Sequence, residues 1–200
     1  MCIRDSDKTI SNGDEGVATG IAQCDNQLVT ILDFEKIVAE LAPETTIQVS
    51  EVDAMGDRPL NEAPIVIAED SVLLRKMIDD SLERAGFTNI HNFGNGKEAW
   101  DYLSSIKDEP DLYEKVKLII TDIEMPQMDG HRLTKLIKDD SRLKKIPVII
   151  FSSLIDDQMR RKGKELGADD QLAKPEIGRL VAMMDKLLKE YEETRAKARG

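Results

Sequence analysis

Leu118-Ile119-Ile120-Thr121-Asp122-Ile123-Glu124-Met125-Pro126-Gln127-Met128-Asp129-Gly130 is the stretch that decides how this chain folds. It opens with an apolar run, Leu118 to Ile120, that contains neither Pro nor Gly. Such a run reads as a strand buried on both faces, the kind found inside a parallel sheet. It ends in an acid, Asp122. Met125-Pro126 interrupts any helix, because the residue before a proline is pushed toward extended geometry. Asp129-Gly130 is a turn and helix-start signal. One carboxylate therefore stands where a buried strand meets a loop, the place where open α/β sheets bind ligands. A lone Asp at a strand end is ordinarily a solvated cap. Residues elsewhere in the chain change that reading.

Working outward, a regular alternation runs from Ile65 onward. Ile65 to Ala68 is a first strand, and Ser71 to Ala85 carries apolar residues at helical spacing, ended by Gly86. Asn89 to Phe93 and Lys97 to Ile106 form the next strand and helix, and Leu118 to Asp122 and Gly130 to Lys138 the third pair. Pro147 to Phe151 and Asp157 to Leu166 follow, then a short strand, Gln171 to Ala173, and a long helix from Glu176 to about Lys197. Five such units predict an α/β fold with a parallel, doubly wound sheet and right-handed crossovers.

Upstream the pattern differs. Residues 1–16 are polar, rich in Asp, Ser and Gly, and read as a disordered leader. Met1 to Ser6 fits nothing that follows and reads as a truncation scar. Val17 to Gln23 and Gln27 to Leu32 flank Cys24-Asp25-Asn26 and predict a β-hairpin. Asp33 then caps a predicted helix, Phe34 to Leu41, closed by Pro43. So few residues cannot bury an independent core, so 17–42 reads as the remnant of a larger domain. Residues 43–63, with Gly56 and Pro59, read as a linker to a domain spanning 64–200.

Composition narrows the function. The formal charge of −11 argues against nucleic acid or an anionic membrane as partner. Cys2 and Cys24 lie far apart and form no C-x-x-C pair, which argues against a disulfide framework or zinc site and fits a reducing cytoplasm. No apolar run approaches the length of a membrane span, and no signal-peptide pattern opens the chain.

In a parallel sheet every strand points its C-terminal end at the same edge. Glu69-Asp70, Asp122, Ser152-Ser153 and Lys174-Pro175 each follow a predicted strand. Three acids, a hydroxyl and a lysine therefore converge from distant parts of the chain. Clustered carboxylates raise each other's pKa unless a cation sits among them. Oxygen donors of this kind suit Mg²⁺. Such a site leaves one oxygen of Asp122 free to attack phosphorus, forming a covalent aspartyl phosphate. The metal and Lys174 would carry the charge of the transferring phosphoryl group, and the Ser152 hydroxyl can donate a hydrogen bond to it. Pro175 would fix the Lys174 loop. Each residue has a bland reading as a cap or surface charge, but all of them falling at strand ends on one edge favours the joint reading. His91 and His131 lie away from the predicted site and read as ordinary surface residues.

Taken together, Ala68-Glu69-Asp70-Ser71, Thr121 to Pro126 with Met128-Asp129-Gly130, Phe151-Ser152-Ser153 and Ala173-Lys174-Pro175 resemble a response-regulator receiver domain, with the flavodoxin- or CheY-like (βα)5 fold. The resemblance covers about Pro64 to Tyr191. It implies that Asp122 is the phosphoacceptor. It also implies that Asp70 and Asp122 ligate Mg²⁺ directly, with the Glu124 carbonyl as a further ligand and Glu69 acting through water. Ser152 and Lys174 would contact the phosphoryl group, and the donor would be a phosphohistidine on a histidine kinase. Its chemistry would be self-phosphorylation and autodephosphorylation, without turnover of an external substrate. One position departs from the pattern. Gln171 stands three places before Lys174, where many receivers carry an aromatic residue that swings inward on activation, which puts an aromatic-switch output in doubt.

Thr19 to Gln23 with Leu28 to Ile37 is similar to the last hairpin and helix of a CheW-like coupling domain. CheW-like followed by receiver is the architecture of CheV-type chemotaxis proteins. That resemblance implies a CheA-like kinase as phosphodonor and a place in the chemoreceptor–kinase array. A charged helix, Lys186 to Arg199, ends the chain with no DNA-binding helix-turn-helix, which argues against a transcription factor. Three other functions compete. A phosphate sink with no output of its own has the same residues. An aspartyl-nucleophile phosphohydrolase often carries Asp-x-Asp on the first strand, where this chain has Glu69-Asp70-Ser71. A flavodoxin-like cofactor binder needs a phosphate-cradling turn there, and Glu69-Asp70 would repel the phosphate.

Overall fold

The computed structural model describes residues 18–24, 27–32, 52, 55–56, 58–153, 155–174 and 176–199. The chain divides into two compact units, Met1–Thr46 and Ile47–Gly200. In the first, β1 (Ala18–Cys24) and β2 (Gln27–Leu32) pair antiparallel, with Cys24 opposite Gln27. This is the hairpin expected from the sequence. The predicted leader 1–16, the helix Phe34 to Leu41 and Pro175 lie outside the described residues.

The second unit holds β3 (Ile65–Ala68), α1 (Val72–Arg84), β4 (Ile90–Phe93), α2 (Gly96–Ile106) and a short α3 (Leu112–Lys115). It continues with β5 (Leu118–Thr121), α4 (Gly130–Asp139), a 3₁₀ turn (Leu143–Lys145) and β6 (Val148–Ser152). It ends with α5 (Asp157–Glu165), β7 (Asp170–Ala173) and α6 (Ile177–Arg199). Short α3 and the 3₁₀ turn had no periodic signal, being too brief to show one. The sheet is parallel, in the order β4-β3-β5-β6-β7. β3 and β5 are central and every residue in them is buried, which is why they are apolar without alternation.

Strand residues alternate between two cores. Ile65, Ile67, Ile120 and Phe151 join Ile78, Leu82, Leu180 and Met184 of α1 and α6. Val66, Ile119 and Val148 join Leu103, Leu133 and Ile137 of α2 and α4 on the other face. Helix starts are marked by side-chain caps. Ser71, Asn95, Asp129 and Asp156 accept from Leu74, Glu98, Arg132 and Met159 N–H groups. Gly86 and Gly167 take positive φ after α1 and α5, the left-handed step at which a helix stops.

Two expectations change. Part of the stretch read as a linker is packed: Val52 and Ala63 are buried in the α1–α6 core, and Asn61 forms a parallel bridge with Phe87. His131 is 3% exposed, in the first turn of α4, because the face it shares with Thr134 is covered by α5, whose Met159 backbone hydrogen-bonds its ring. His91 is half-buried on the edge strand β4, with its ring stacked on Tyr102 at 5.7 Å.

Candidate functional site

Register brings the acids together. Ala68 pairs with Thr121, so the next residues, Glu69 and Asp122, leave the sheet side by side. The Asp122 N–H donates to the Ala68 carbonyl at 2.9 Å, which fixes where the Asp122 side chain starts. On the other side of β5, Ser152 pairs with Ala173, and the Lys174 N–H donates to the Ser152 carbonyl at 3.2 Å.

Lys174 is the centre of the arrangement. It is 3% exposed, and its Nζ donates to Asp122 Oδ2 at 2.7 Å and lies 2.7 Å from Glu69 Oε2. The contact with Glu69 is a buried ion pair, so one ammonium is shared between two carboxylates. Asp122 Oδ1 accepts from the Ile123 N–H at 2.6 Å, and Glu69 Oε1 from the Ser71 N–H at 3.1 Å.

Burial acts on these charges in opposite ways. It pushes the Glu69 pKa up, and Lys174 offsets only part of that rise. It pushes the Lys174 pKa down, but attraction to Asp122 and Glu69 outweighs the burial, and the net shift is upward. Lys174 is therefore an ammonium between two carboxylates.

Carboxylate oxygens of Glu69, Asp70 and Asp122 lie within 4.8 Å of one another. Three carboxylates against one ammonium leave a formal charge of two negatives, which a divalent cation balances. The donors are all oxygen, the set Mg²⁺ takes. These residues fit Mg²⁺. Asp70 and Glu124 are both exposed, so the cluster opens to solvent on that side.

All four strand ends expected to converge do so, with Ser152 buried at the end of β6. Three residues support the site through contacts that the sequence reading did not assign, although Thr121 and Gly130 stand in the motif it quoted. Thr121 Oγ1 donates to the Asp122 carbonyl at 2.9 Å. Arg75 Nη1 donates to the Glu69 carbonyl at 2.6 Å. Gly130 lies so close to Asp122 that a Cβ there would stand 1.8 Å from the Asp122 carbonyl oxygen. The signals were a hydroxyl at the end of a buried strand, an arginine one turn into α1 and a glycine at a helix start.

Residues 65–185 match the response regulator receiver domain family. The chain is 32% identical over 180 residues to the chemotaxis protein CheV2 of Helicobacter pylori, which covers 88% of this chain and 55% of the relative. It is 34% identical over 89 residues to Helicobacter pylori CheY1, covering 44% of this chain and 66% of that protein. A crystal structure of the receiver domain of a signal transduction histidine kinase from Syntrophus aciditrophicus is similar with a TM-score of 0.55 at 32% identity, covering 64% of this chain and 91% of that one. This chain spans about half the length of the CheV relatives it matches. The sheet order and a match running from β3 into α6 identify the same fold, and the chain belongs to the response regulator receiver family.

Proposed function

We propose that this chain is a phosphoacceptor module of a two-component chemotaxis system, phosphorylated on Asp122 by a CheA-like histidine kinase. The observation that carries the reading is the buried Asp122–Lys174–Glu69 arrangement at the sheet edge. A merely structural ion pair would not need a third, solvent-facing carboxylate, Asp70, within reach of both acids.

Asp70, Asp122 and the Glu124 carbonyl would hold Mg²⁺, with Glu69 reaching it through water. When bound, the metal neutralises phosphoryl oxygens and keeps the acids ionised. The rest of the chemistry belongs to the side chains. An Asp122 oxygen attacks the donor phosphorus, the phosphorus–nitrogen bond of the phosphohistidine breaks, and its electron pair stays on the imidazole. Lys174, already 2.7 Å from Asp122 Oδ2, follows the new negative charge onto the phosphoryl group. Ser152, at the end of β6, donates its hydroxyl to a phosphoryl oxygen. Thr121, Gly130 and the Ile123 N–H hold Asp122 in place for the attack.

The similarity to CheV2 extends beyond the receiver, and the β1–β2 hairpin falls where a coupling domain would end. On that basis residues 17–42 are the end of a CheW-like domain that links this receiver to a chemoreceptor–kinase array.

Intact mass after incubation with acetyl phosphate and Mg²⁺ tests the reading. Wild type gains one phosphoryl group and Asp122→Asn gains none, while both keep the same circular dichroism. Labelling of a folded Asp122→Asn chain would move the acceptor elsewhere.

A further inference from the structure

The strap that precedes β3 is fastened to the helix that follows Lys174. Arg58 Nη2 donates to both carboxylate oxygens of Asp185 on α6, at 2.6 and 2.7 Å, and its Nε donates to the Ala85 carbonyl at 2.9 Å. The Asn61 N–H donates to the Gly86 carbonyl at 2.8 Å, and the Thr88 N–H returns to the Asn61 carbonyl at 3.2 Å. Gly86 is left-handed, and a Cβ there would stand 2.6 Å from the Pro59 carbonyl oxygen, so the strap lies directly on the glycine. This is a built interface.

The same helix begins at the candidate site. Glu176 and Ile177 follow Lys174 within three residues, and Asp185 lies eight residues further, about 12 Å along the helix axis. Between them Ile177, Leu180, Val181 and Met184 are fully buried. A close-packed face of this kind transmits a displacement because it has no slack to absorb one.

We propose that α6 is a lever between Asp122 and the strap, so that phosphorylation loosens the Arg58–Asp185 clamp and frees the chain N-terminal to it. The proposal rests on the reading of Asp122 as phosphoacceptor. A phosphoryl group on Asp122 displaces the Lys174 ammonium from the oxygen it now holds. The ammonium follows the charge onto the phosphoryl group, and because Lys174 is 3% exposed and lies just ahead of α6, the lever has the start of that helix drawn with it. At the far end, Arg58 holds Asp185 through the single nitrogen Nη2, which both carboxylate oxygens share, while its Nε is tied to Ala85, so a shift or rotation of Asp185 lengthens a charge-assisted contact that has no second nitrogen to replace it. The route does not pass through Gln171.

Hydrogen exchange of the full chain, read by mass spectrometry with and without acetyl phosphate and Mg²⁺, tests the lever. The amides of Asn61 and Thr88 report the strap directly. Phosphorylation is expected to speed their exchange by about tenfold, an opening of modest free energy. In Asp185→Asn they should exchange fast before phosphorylation and change little after it. In Asp122→Asn they should not respond to acetyl phosphate. Intact mass of the same samples separates two failures. A loaded wild-type chain with unchanged strap exchange overturns the lever alone. A chain that takes no phosphoryl group overturns the phosphoacceptor reading, and the lever with it.

Discussion

Gln171 lies flat against Gly163. Its Nε2 donates to the Arg160 carbonyl at 2.8 Å, Arg160 Nη1 donates back to the Gln171 carbonyl at 3.2 Å, and a Cβ on Gly163 would meet Gln171 Oε1 at 2.3 Å. The residue three places before Lys174 is thus a polar clasp between β7 and α5. A glycine inside α5 is what leaves room for it.

Gly163→Ala should therefore expel the Gln171 amide without unfolding the chain. The lost hydrogen bond costs about 1 kcal/mol. Replacing a glycine within a helix recovers about 1 kcal/mol. The single variant should sit close to wild type in urea, while Gly163→Ala in a Gln171→Ala background should gain the full helical benefit. A double-mutant cycle measures the coupling, and purely additive effects would show that the two side chains do not meet.

Lys174→Ala removes the only cation paired with Asp122 and Glu69 among the described residues. Leaving buried carboxylates uncompensated costs about 3 kcal/mol or more. In EDTA the variant should lose that stability. In excess Mg²⁺ much of it should return, because a divalent ion binding the folded site replaces the missing charge. Thermal unfolding in the two buffers decides the matter: an equal loss in both would mean that these acids do not hold the metal.

Gly130→Ala meets an obstacle that cannot give way. The added Cβ would lie 1.8 Å from a backbone oxygen, that of Asp122, and 2.9 Å from Thr121 Oγ1. The start of α4 or the end of β5 must then move, at a cost of about 3 kcal/mol. The substitution should also slow phosphorylation from acetyl phosphate, since the shifted atoms carry Asp122. A stable Gly130→Ala protein that phosphorylates at the wild-type rate would show that this contact does not position the acceptor.

His131 makes stability depend on acid. Burial pushes its pKa below the usual 6.5 and Lys162 adds to the effect, while Asp129 and a hydrogen bond with the Met159 backbone pull it back up. The folded chain holds the ring neutral where the unfolded chain would protonate it. This contribution is complete above 6.5 and is lost as the pH falls below that value toward the lower folded pKa. His131→Gln should remove that part of the loss. Urea midpoints at about pH 7.5 and about pH 5.5 provide the comparison, and an identical drop in both proteins would place the titration on other groups.

The chain itself specified a great deal. Apolar runs without alternation marked β3, β5 and β6 as buried strands, and helical spacing between them left a doubly wound parallel sheet as the only economical arrangement. From that topology alone Glu69, Asp70, Asp122, Ser152 and Lys174 had to share an edge, because parallel strands end on the same side. The hairpin of β1 and β2 was legible from two short apolar segments around a turn.

What the sequence left open depends on contacts between distant residues. Nothing local indicates that Lys174 reaches Glu69 as well as Asp122. Polarity and prolines made residues 58–63 look like a linker, yet Arg58 reaches Asp185 across more than half the chain. His131 looked like a surface residue until α5 was seen to cover it, since a helix position is buried by what packs on it. Strand and helix identity follow from periodicity within a few residues. Burial, pairing and charge balance at the site are properties of the packed chain, decided only when separate segments come within a few ångströms of one another.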